Sequence, residues 1–545
     1  MSNLTSGVLD SRLVRTIAMM VGLFYFTYTV AQWVITNNTT YMTLSVAGVL
    51  GVMMTMVILK DWRSGLVIFL CWLVLEDTIR KYLGNSIIIF FAKDAILGIT
   101  YFSMLLARRK NQLLVFKPPF MFWLAIFFWM ALAQVFNPHS PTFVFGLLGM
   151  KTYFYYVPLM YAGYAILRTE ADLHKVLILN MWIAIIVAGL GVLQSFGGGG
   201  FLNPEGMAPE LYDLSHLSRE APQSHLMASR STSVFVSDGR FGMFLTLLFI
   251  LAFGTAGYLL FRTKRGRGVV YVAVGIVTLA TIMSSSRGTN VYMVIDAIVL
   301  GLALFWGAPR RQRQAFRVGK AIRWMATFAG VAILIAVLFF PEEVKARWAF
   351  YSETLSPSSS NYELGYRIWE YPLKNLEGIS SQPNLITGNG TGIASLGSQY
   401  VTKLTGVRAL GLGAESGYGT LIIEFGALGP ILWTLWTFGL IFSAWKVVRK
   451  LKQTALFPIG FAIFWYAFML LGPFTFYGLN TYQNYLTCAY LWLIIGMLFR
   501  LPGLLSEDQA RRNAAELQRQ QQLQSQEEEA LELQGATLSH ADAGP

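Results

Sequence analysis

The sequence predicts an all-α polytopic membrane protein with about fourteen transmembrane helices and two long extracytoplasmic loops, one of them partly helical. Hydrophobic residues make up 55% of the 545 residues and charged residues only 13%, whereas a soluble globular protein carries roughly 25% charged residues. Mean hydropathy is +0.51, and apolar segments long enough to span a bilayer recur along the chain. Lipid is therefore expected to be the main solvent of this protein.

The composition also argues against several other classes of protein. The net charge of +13 comes from short basic runs between apolar segments, which is the pattern of topology signals and not of a nucleic-acid-binding face. Cys71 and Cys488 both lie inside apolar segments, so neither a disulfide framework nor a cysteine metal site is indicated. The first apolar stretch, residues 16–35, lacks a small-residue cleavage site, so we expect no cleavable signal peptide.

The expected spans follow one another with short connections in the first half of the chain and longer ones in the second. A span needs about 20 apolar residues, fewer where neighbouring helices bury it. We place the spans near residues 15–36, 41–59, 64–79, 86–107, 119–136, 142–166, 176–195, 241–262, 268–285, 289–307, 323–340, 414–445, 455–477 and 482–500.

The basic loops predict the orientation. With fourteen spans, four basic loops fall on one side, which the positive-inside rule assigns to the cytoplasm. These loops carry residues 108–110, 262–267, 310–323 and 446–452. Arg80 and Lys81 fall on the opposite side and disagree with the rule. Both termini of this multi-pass protein are then cytoplasmic.

Two domains are expected. Residues 1–505 form a transmembrane catalytic domain, with extracytoplasmic loops at 196–239 and 341–413 whose length and mixed composition favour function over disorder. Residues 506–545 form a polar cytoplasmic tail that is rich in Gln, Glu and Ala. Its heptads are poor, which favours a solvated, partly helical extension; the alternative is a coiled coil that binds a partner protein.

Several charged residues are expected at the outer ends of spans: Lys93, Lys151, Arg240, Arg287 and Asp296. A charge within the bilayer costs at least ~2.5–3.5 kcal/mol at the centre, so such residues mark sites by default, although each could pair or reach the interface separately. Their net charge is positive. An anionic ligand at the level of the outer lipid headgroups would suit a cavity lined by these side chains.

Motifs of soluble enzymes are missing from the sequence, and the glycine-rich stretch at 388–392 follows no strand, so it is not a nucleotide-binding fingerprint. A different pattern runs through the second half of the chain. In order it comprises RSTSVFVSDGRFG (230–242), SSSRG (284–288), GYRIWEYPLKNL to TGNGTG (365–392) and ESGYGTLIIEFGALG (415–429). This order resembles the O-antigen ligase/polymerase superfamily, membrane glycosyltransferases of the C type that act on lipid-linked polysaccharides.

The last stretch both matches the family and departs from it. The family pattern is similar to His-Asn-x-Tyr-Leu followed by Glu-x-Gly-x-x-Gly, and Tyr418, Glu424, Gly426 and Gly429 fall into register with it. Glu415 occupies the position of the family's histidine, which is thought to assist the acceptor hydroxyl. This departure weakens the ligase interpretation and leaves the catalytic base open.

The resemblance implies a bacterial inner membrane, a donor glycan on undecaprenyl pyrophosphate, a glycan acceptor, and no metal or other cofactor. If the tail forms a coiled coil, other polysaccharide-assembly proteins are its expected partners. Arg230, Arg287 and Arg367 match the family's arginine positions, and arginine suits a pyrophosphate because it stays charged and donates paired hydrogen bonds to phosphate oxygens. Arg287 and Glu415 are the expected catalytic residues, since Glu415 could accept the proton of the attacking hydroxyl. The expected substrate-binding residues are Arg230, Arg240, Arg367, Lys93 and Lys151.

Structural roles remain open for several of these residues. Glu415 could cap the N-terminus of the twelfth span, where a carboxylate complements the helix dipole. Glu424 lies about 13 Å further along the same helix at 1.5 Å per residue, which favours pairing with a neighbouring span over catalysis. Arg240 could serve either role. His216 and His225 lack metal-ligand spacing and are expected to be ordinary loop residues.

Three functions remain open. A polymerase of lipid-linked oligosaccharide repeat units at the outer face of the inner membrane is favoured over a ligase, because Glu415 replaces the histidine. A flippase for the same lipids should contain an internal repeat, but the long outer loops fall only after the seventh of the fourteen predicted spans. A membrane scaffold would leave the outer arginines without a role.

Overall fold

The computed structural model describes most of the chain. It covers residues 39–84, 87–110, 113–198, 200–204, 217–262, 265–307, 312–356, 370–379, 384–408 and 416–541, with residues 20, 28, 309, 410, 411 and 414. His216, Arg367, Glu415 and all of the first predicted span (15–36) except residues 20 and 28 lie outside these residues.

The chain forms two compact units. The first comprises Met1–Cys71 and Ala92–Gln112, and the second comprises Trp72–Phe91 and Leu113–Pro545. Within the first unit, the hydroxyl of Ser103 donates a hydrogen bond to the carbonyl oxygen of Ile58 at 2.7 Å. The second unit contains every element of the candidate site described below.

The protein is mostly helical, at 78%. The elements of its first half are α1 Thr39–Lys60, α2 Trp62–Leu83, α3 Ile87–Arg109, α4 Met121–Gln134, α5 Phe143–Phe154, α6 Leu159–Ile166, α7 Glu170–Gly197, β1 Ser218–Glu220, β2 Met227–Ser229, α8 Asp238–Phe261 and α9 Arg267–Met283. Those of its second half are α10 Arg287–Gly307, α11 Gln312–Phe339, α12 Pro341–Leu355, α13 Tyr371–Ile379, α14 Ser398–Thr405, α15 Gly417–Phe425, α16 Leu428–Leu451, α17 Phe457–Met469, α18 Thr475–Tyr477, α19 Asn480–Gln483 and α20 Tyr485–Ala541.

Among the described residues, seven helices are long and apolar enough to cross a membrane. The prediction of an all-α multi-pass membrane protein is consistent with this architecture. The seven are Ile88–Arg109, Glu170–Gly197, Asp238–Phe261, Arg287–Gly307, Leu428–Leu451, Phe457–Tyr477 and Tyr485–Glu507. Shorter apolar helices at Gly48–Lys60, Met121–Gln134 and Arg267–Met283 coincide with further predicted spans.

Three predicted spans are not continuous α-helices. The span predicted at 142–166 is divided between α5 and α6, and Pro158 precedes the second helix. The span predicted at 414–445 ends its first helix, α15, at Gly426 and resumes as α16. The span predicted at 455–477 passes through a π-helical turn, Leu470–Phe474, which contains Pro473. A proline lacks the N–H that would continue the helical ladder, which accounts for the changes at Pro158 and Pro473.

Helix α8 lies at the centre of the second unit. Most of its side chains are buried, and it packs against α7, α9, α10 and α17. It begins where the Ser237 side chain accepts a hydrogen bond from the backbone N–H of Arg240. Because α10 and α17 both pack on α8, the two helices are placed side by side, and the candidate site lies where they separate.

The tail from residue 506 continues the last spanning helix. Helix α20 runs from Tyr485 to Ala541 without a break. The side chains described in this segment, up to residue 526, are mostly exposed. The tail is therefore more helical than its polar composition predicts.

Candidate functional site

A cavity of about 860 Å³ lies in the second unit, and its two ends differ in chemistry. One end is polar and carries Arg219, Arg230, Ser286, Arg287 and Thr354, and Tyr418 also lines the cavity. The rest is an apolar arm between α10 and α17, lined by Val291, Tyr292, Ile295, Trp465, Phe468, Met469, Pro473, Phe476 and Tyr477. The lining thus combines three guanidinium groups at one end with an aromatic trough.

The N-terminus of α10 contributes to the polar end. Ser285 adopts a φ of 54° in the turn before this helix, and its hydroxyl donates to the carbonyl oxygen of Ser229 at 2.7 Å. The first turn of α10 closes as the Asn290 N–H donates to the Ser286 carbonyl oxygen at 3.2 Å. Ser286, Arg287 and Gly288 line the cavity, so the positive end of the helix dipole adds to the arginine charge there.

A short β-hairpin supplies two of the arginines. Strands β1 and β2 pair antiparallel, with Ser218 opposite Ser229. The pairing extends by one residue, because the Arg230 N–H donates to the Leu217 carbonyl oxygen at 2.6 Å. Arg230 forms an ion pair with Asp238. Arg219 is the central residue of β1 and is exposed, so it lies at the rim of the cavity.

Helix α12 packs on this hairpin and on Arg287. Ala221 and Ala228 of the hairpin segment cluster with Ala346 and Phe350 of α12. The guanidinium carbon of Arg287 lies 5.5 Å from the centroid of the Phe350 ring, within the range of a cation–π contact. Helix α12 therefore helps to position both Arg287 and the hairpin that carries Arg219 and Arg230.

Arg347 anchors α12 to neighbouring backbone segments. It is buried at 2% exposure, and its Nε donates to the Met283 carbonyl oxygen at 3.1 Å. Its Nη2 donates to the Ser229 hydroxyl at 2.7 Å, and its Nη1 donates to the Glu343 carboxylate at 2.6 Å. Since Ser229 directly precedes Arg230, Arg347 ties α12 to the backbone that carries a cavity arginine.

Tyr351, one helical turn after Arg347, adds neutral hydrogen bonds to the same junction. Its hydroxyl donates to the Ile282 carbonyl oxygen at 2.9 Å and accepts from Asn290 Nδ2 at 2.9 Å. Burial raises the pKa of Tyr351 to about 12, so the phenol stays protonated at neutral pH. The ends of α9 and α10 are thereby joined to α12.

The loop after Arg230 is fixed by polar residues of α2 and α7. Lys81 Nζ donates to the Thr232 hydroxyl at 3.1 Å and to the Ser233 carbonyl oxygen at 2.9 Å. The Gln194 side-chain oxygen accepts from the backbone N–H groups of Thr232 and Ser233, both at 2.7 Å. This accounts for Lys81, whose charge disagreed with the orientation rule: its ammonium group holds a loop.

Arg240 belongs to the same buried network and is not among the described residues that line the cavity. Its Nη1 lies 2.9 and 2.8 Å from the two carboxylate oxygens of Asp77. Asp77 is also bound by Arg80 at 3.0 Å. Of the two roles that the sequence left open for Arg240, the geometry favours the structural one.

The two predicted lysines also lie elsewhere in the described chain. Lys151 Nζ is 4.7 and 4.5 Å from the ring centroids of Phe90 and Phe91. Lys93 is buried and belongs to the first unit. Of the five residues predicted to bind substrate, Arg230 lines the cavity, Arg240, Lys151 and Lys93 are not among its described lining residues, and Arg367 lies outside the described part.

The TGNGTG stretch packs on the protein's own backbone. The Asn389 N–H donates to the Ile423 carbonyl oxygen at 2.8 Å, and the Gly390 N–H donates to that of Glu424 at 3.1 Å. Gly392 has a φ of +85°, and a Cβ there would lie 2.0 Å from the Phe145 carbonyl oxygen. These glycines allow backbone segments to approach closely, so the stretch braces α15.

Glu424 is also held by protein groups. Its carboxylate accepts hydrogen bonds from the Tyr153 hydroxyl at 2.9 Å, the Ser395 hydroxyl at 2.8 Å and the Ala394 N–H at 3.1 Å. Tyr153 lies on α5. Pairing with a neighbouring helix, the favoured interpretation of this residue, agrees with these contacts.

The start of α15 brings Tyr418 to the cavity. The helix is capped by Ser416, whose side chain accepts a hydrogen bond from the Gly419 N–H. Ser416, and not Glu415, is thus the N-cap of α15. Glu415 itself lies outside the described residues.

Sequence reasoning missed Arg219 and Arg347. Arg219 lies on a three-residue strand, which carries too few side chains for a period-2 pattern to be recognised. Arg347 bonds to Met283 and Ser229, which are distant from it in the chain. A usable signal for Arg347 is its place on an acidic and basic helix, PEEVKARW, within the long predicted loop 341–413. Among the described residues, there is no group of three or more His, Cys, Asp or Glu side chains that could hold a metal ion.

Comparison with known proteins adds no relative: no protein-family model matches the chain, and no curated protein matches it.

Proposed function

We propose that this protein is a glycosyltransferase that polymerises undecaprenyl-pyrophosphate-linked oligosaccharide repeat units into a surface polysaccharide or exopolysaccharide. The observation that carries the proposal is the two-ended cavity, with Arg219, Arg230 and Arg287 at one end and an aromatic arm along spanning helices at the other. A lipid pyrophosphate has the same division: two adjacent phosphates on a long apolar chain. Free anions would not need the arm, and neutral lipids would not need the arginines.

The reaction would break the bond between the anomeric carbon of the donor sugar and a pyrophosphate oxygen. An acceptor hydroxyl would form the new glycosidic bond and lose its proton to a base. The leaving lipid pyrophosphate would gain the negative charge. Guanidinium groups and a helix N-terminus that are in position before the reaction begins can stabilise that charge by several kcal/mol. The polar end of the cavity contains both.

Glu415 is our candidate for the base. It precedes Ser416 and Tyr418, and Tyr418 lines the cavity. A carboxylate within hydrogen-bonding reach of the acceptor hydroxyl could take its proton directly or through one water. A histidine at this position would correspond to the ligase-like pattern, which is why we favour polymerisation over transfer to a different acceptor.

The same proposal includes fourteen spans, cytoplasmic termini and a site at the outer face of a bacterial inner membrane. The apolar helices shorter than a full span and the described parts of the remaining predicted spans are compatible with this number. Donor, acceptor and lipid bilayer are then the partners, and the helical tail would extend into the cytoplasm.

The decisive experiment is reconstitution. Purified full-length protein in lipid nanodiscs is incubated with an undecaprenyl-pyrophosphate oligosaccharide repeat unit, and the lipid-linked products are separated by size. We expect a ladder of products extended by whole repeat units and release of undecaprenyl pyrophosphate. Transfer to lipid A core without a ladder would indicate a ligase, and binding or movement of the lipid across liposomes without new glycosidic bonds would indicate a transporter.

A further inference from the structure

Helices α10 and α17 form a fork, and the apolar arm of the cavity is the opening of this fork. The lining residues reach Ile295 on α10 and Trp465 on α17 and go no deeper along either helix. Beyond them, Leu300 and Leu304 of α10 lie with Phe457 and Phe461 around a residual space of only about 10 Å³. The two helices therefore leave space between them at the cavity, where the Tyr292 ring of α10 lies edge-on to Phe474 with 4.5 Å between centroids, and they pack together below it.

One hydrogen bond joins the two helices where the fork closes. The indole Nε1 of Trp465 donates to Asp296 Oδ1 at 2.7 Å. Asp296 is fully buried, and among the described residues its second oxygen has no hydrogen-bond partner. A carboxyl group in the middle of a spanning helix is costly, and the indole has a single polar donor. The bond thus fixes the orientation of the ring that closes the arm.

The arm is short compared with a long lipid chain. From Arg287 to Ile295 it extends about 12 Å along α10, at 1.5 Å per residue. A long chain attached to phosphates at the arginine end would therefore leave the cavity toward the bilayer beyond this distance. The arm would then contact only the segment of the lipid chain nearest the phosphates. The far end of that segment would contact Trp465.

We propose that Asp296 and Trp465 are a positioning pair that fixes the closed end of the arm and so determines how tightly the cavity accepts the phosphate-proximal segment of a prenyl chain. This inference rests on the proposed function, since it assumes a lipid phosphate in the cavity. Without the bond, the indole can turn about its side-chain torsions and occupy the space that the chain needs. The arginine end, at least two helical turns away, would be unaffected.

The test compares two probes on full-length protein in nanodiscs: farnesyl diphosphate, which enters both ends of the cavity, and inorganic pyrophosphate, which needs only the arginines. Asp296→Asn keeps a carbonyl oxygen that can accept the Trp465 bond. Asp296→Leu removes the acceptor and keeps the indole, which can then turn into the arm. The double variant Asp296→Leu/Trp465→Phe has no indole to turn and leaves no buried polar group unpaired, which favours correct folding. Trp306→Phe is the control, because Trp306 stacks on Trp445 at the other end of α10.

We expect Trp306→Phe to bind both probes as the wild type does. Asp296→Leu should bind farnesyl diphosphate roughly tenfold more weakly, the scale of one hydrogen bond, and pyrophosphate unchanged. Asp296→Asn, which keeps an acceptor, and the double variant, which has no indole to block the arm, should both bind farnesyl diphosphate more tightly than Asp296→Leu does. Unchanged farnesyl diphosphate binding in Asp296→Leu, or equal loss of both probes, would overturn the positioning role. Wild-type protein that binds neither probe would instead refute the proposed function, on which the pair's role depends.

Discussion

At the scale of single residues, the three cavity arginines differ in how firmly the protein holds them. Arg230 is paired with Asp238, Arg287 lies over Phe350, and Arg219 is exposed on a three-residue strand. A side chain held in advance loses less freedom when it binds a phosphate and can act on charge that develops in the transition state. We therefore expect the partly buried pair, Arg230 and Arg287, to carry catalysis and Arg219 to attract the ligand.

Arg287→Ala should weaken donor binding and lower kcat together, with kcat/KM reduced by roughly 10²-fold or more, because a preorganised charge is lost in ground and transition states. Arg219→Ala should cost only about 2–5-fold in KM, and this effect should shrink at high salt because exposed charges are screened. Initial rates of chain extension at two salt concentrations measure both. Arg408→Ala, at an exposed arginine outside the cavity, is the control; equal effects of the Arg219 and Arg287 substitutions would contradict this division.

Glu415→Gln should preserve donor binding and cut turnover by roughly 10²-fold or more, the usual scale of general acid–base catalysis. Ser416 already caps α15, so little loss of stability is expected from the amide. Steady-state rates and thermal unfolding of the same preparation separate the two effects. Glu415→His supplies another base at the same place, and partial activity there with an inactive Gln variant would support catalysis. Full turnover in the Gln variant would remove Glu415 from the mechanism.

At the scale of elements, the sequence predicted where apolar segments lie better than where their helices break. Hydropathy averages over a segment, whereas Pro158, Gly426 and Pro473 act on one or two backbone groups. The break at Gly426 matters most for the site, because it separates the short helix that carries Tyr418 from the spanning helix α16. No average over the predicted span 414–445 contains that information.

The site itself was predictable only in part, for the same reason. Arg230 and Arg287 stand in motifs that could be recognised, and both line the cavity. The aromatic arm could not be foreseen, since Trp465, Tyr292 and Phe476 look like ordinary apolar residues of spans until α10 and α17 are seen to separate. Arg240 is a type of residue that commonly binds anionic ligands, but here it forms an ion pair with Asp77, which lies 163 residues away in the chain.

Gly392→Ala should destabilise the protein by several kcal/mol. The new Cβ would lie 2.0 Å from the Phe145 carbonyl oxygen, so backbone segments must move apart. Gly406→Ala is the matched control: Gly406 also has a positive φ, +72°, but nothing lies within 4 Å of its Cβ position. There we expect only about 1 kcal/mol, the cost of the left-handed conformation. Thermal unfolding in detergent compares them, and equal losses would show that backbone conformation alone requires Gly392.

At the scale of the whole molecule, the polar end of the cavity and the basic loops lie at opposite ends of the same helices. Helix α10 begins at the cavity with Arg287 and leads into the basic segment 310–323. Helix α17 begins after the basic segment 446–452 and leads to the cavity at Tyr477. The Gln453 N–H donates to the Gly307 carbonyl oxygen at 2.7 Å, which places these two basic connections at one end. By the positive-inside rule, this supports an extracytoplasmic cavity.

Cysteine labelling tests that orientation. In a background with Cys71→Ser and Cys488→Ala, Ser358→Cys should react with a membrane-impermeant maleimide in intact cells, since residues 341–413 are expected outside. Ser358 lies beyond the described residues, so its accessibility rests on the length and polarity of the loop. Ser525→Cys, on an exposed turn of α20, should react only after permeabilisation, and a C-terminal fluorescent protein that matures only in the cytoplasm should be bright.

The opposite result would have a consequence beyond topology. Undecaprenyl-linked repeat units are expected to be extended only after they reach the outer leaflet, so an arginine cavity on the cytoplasmic side could not meet them. Labelling of Ser358→Cys only in permeabilised cells, with Ser525→Cys labelled from outside, would therefore exclude the polymerase. The lipid-phosphate cavity would remain, because the proximity of Arg230, Arg287 and the aromatic arm does not depend on which side of the membrane they face.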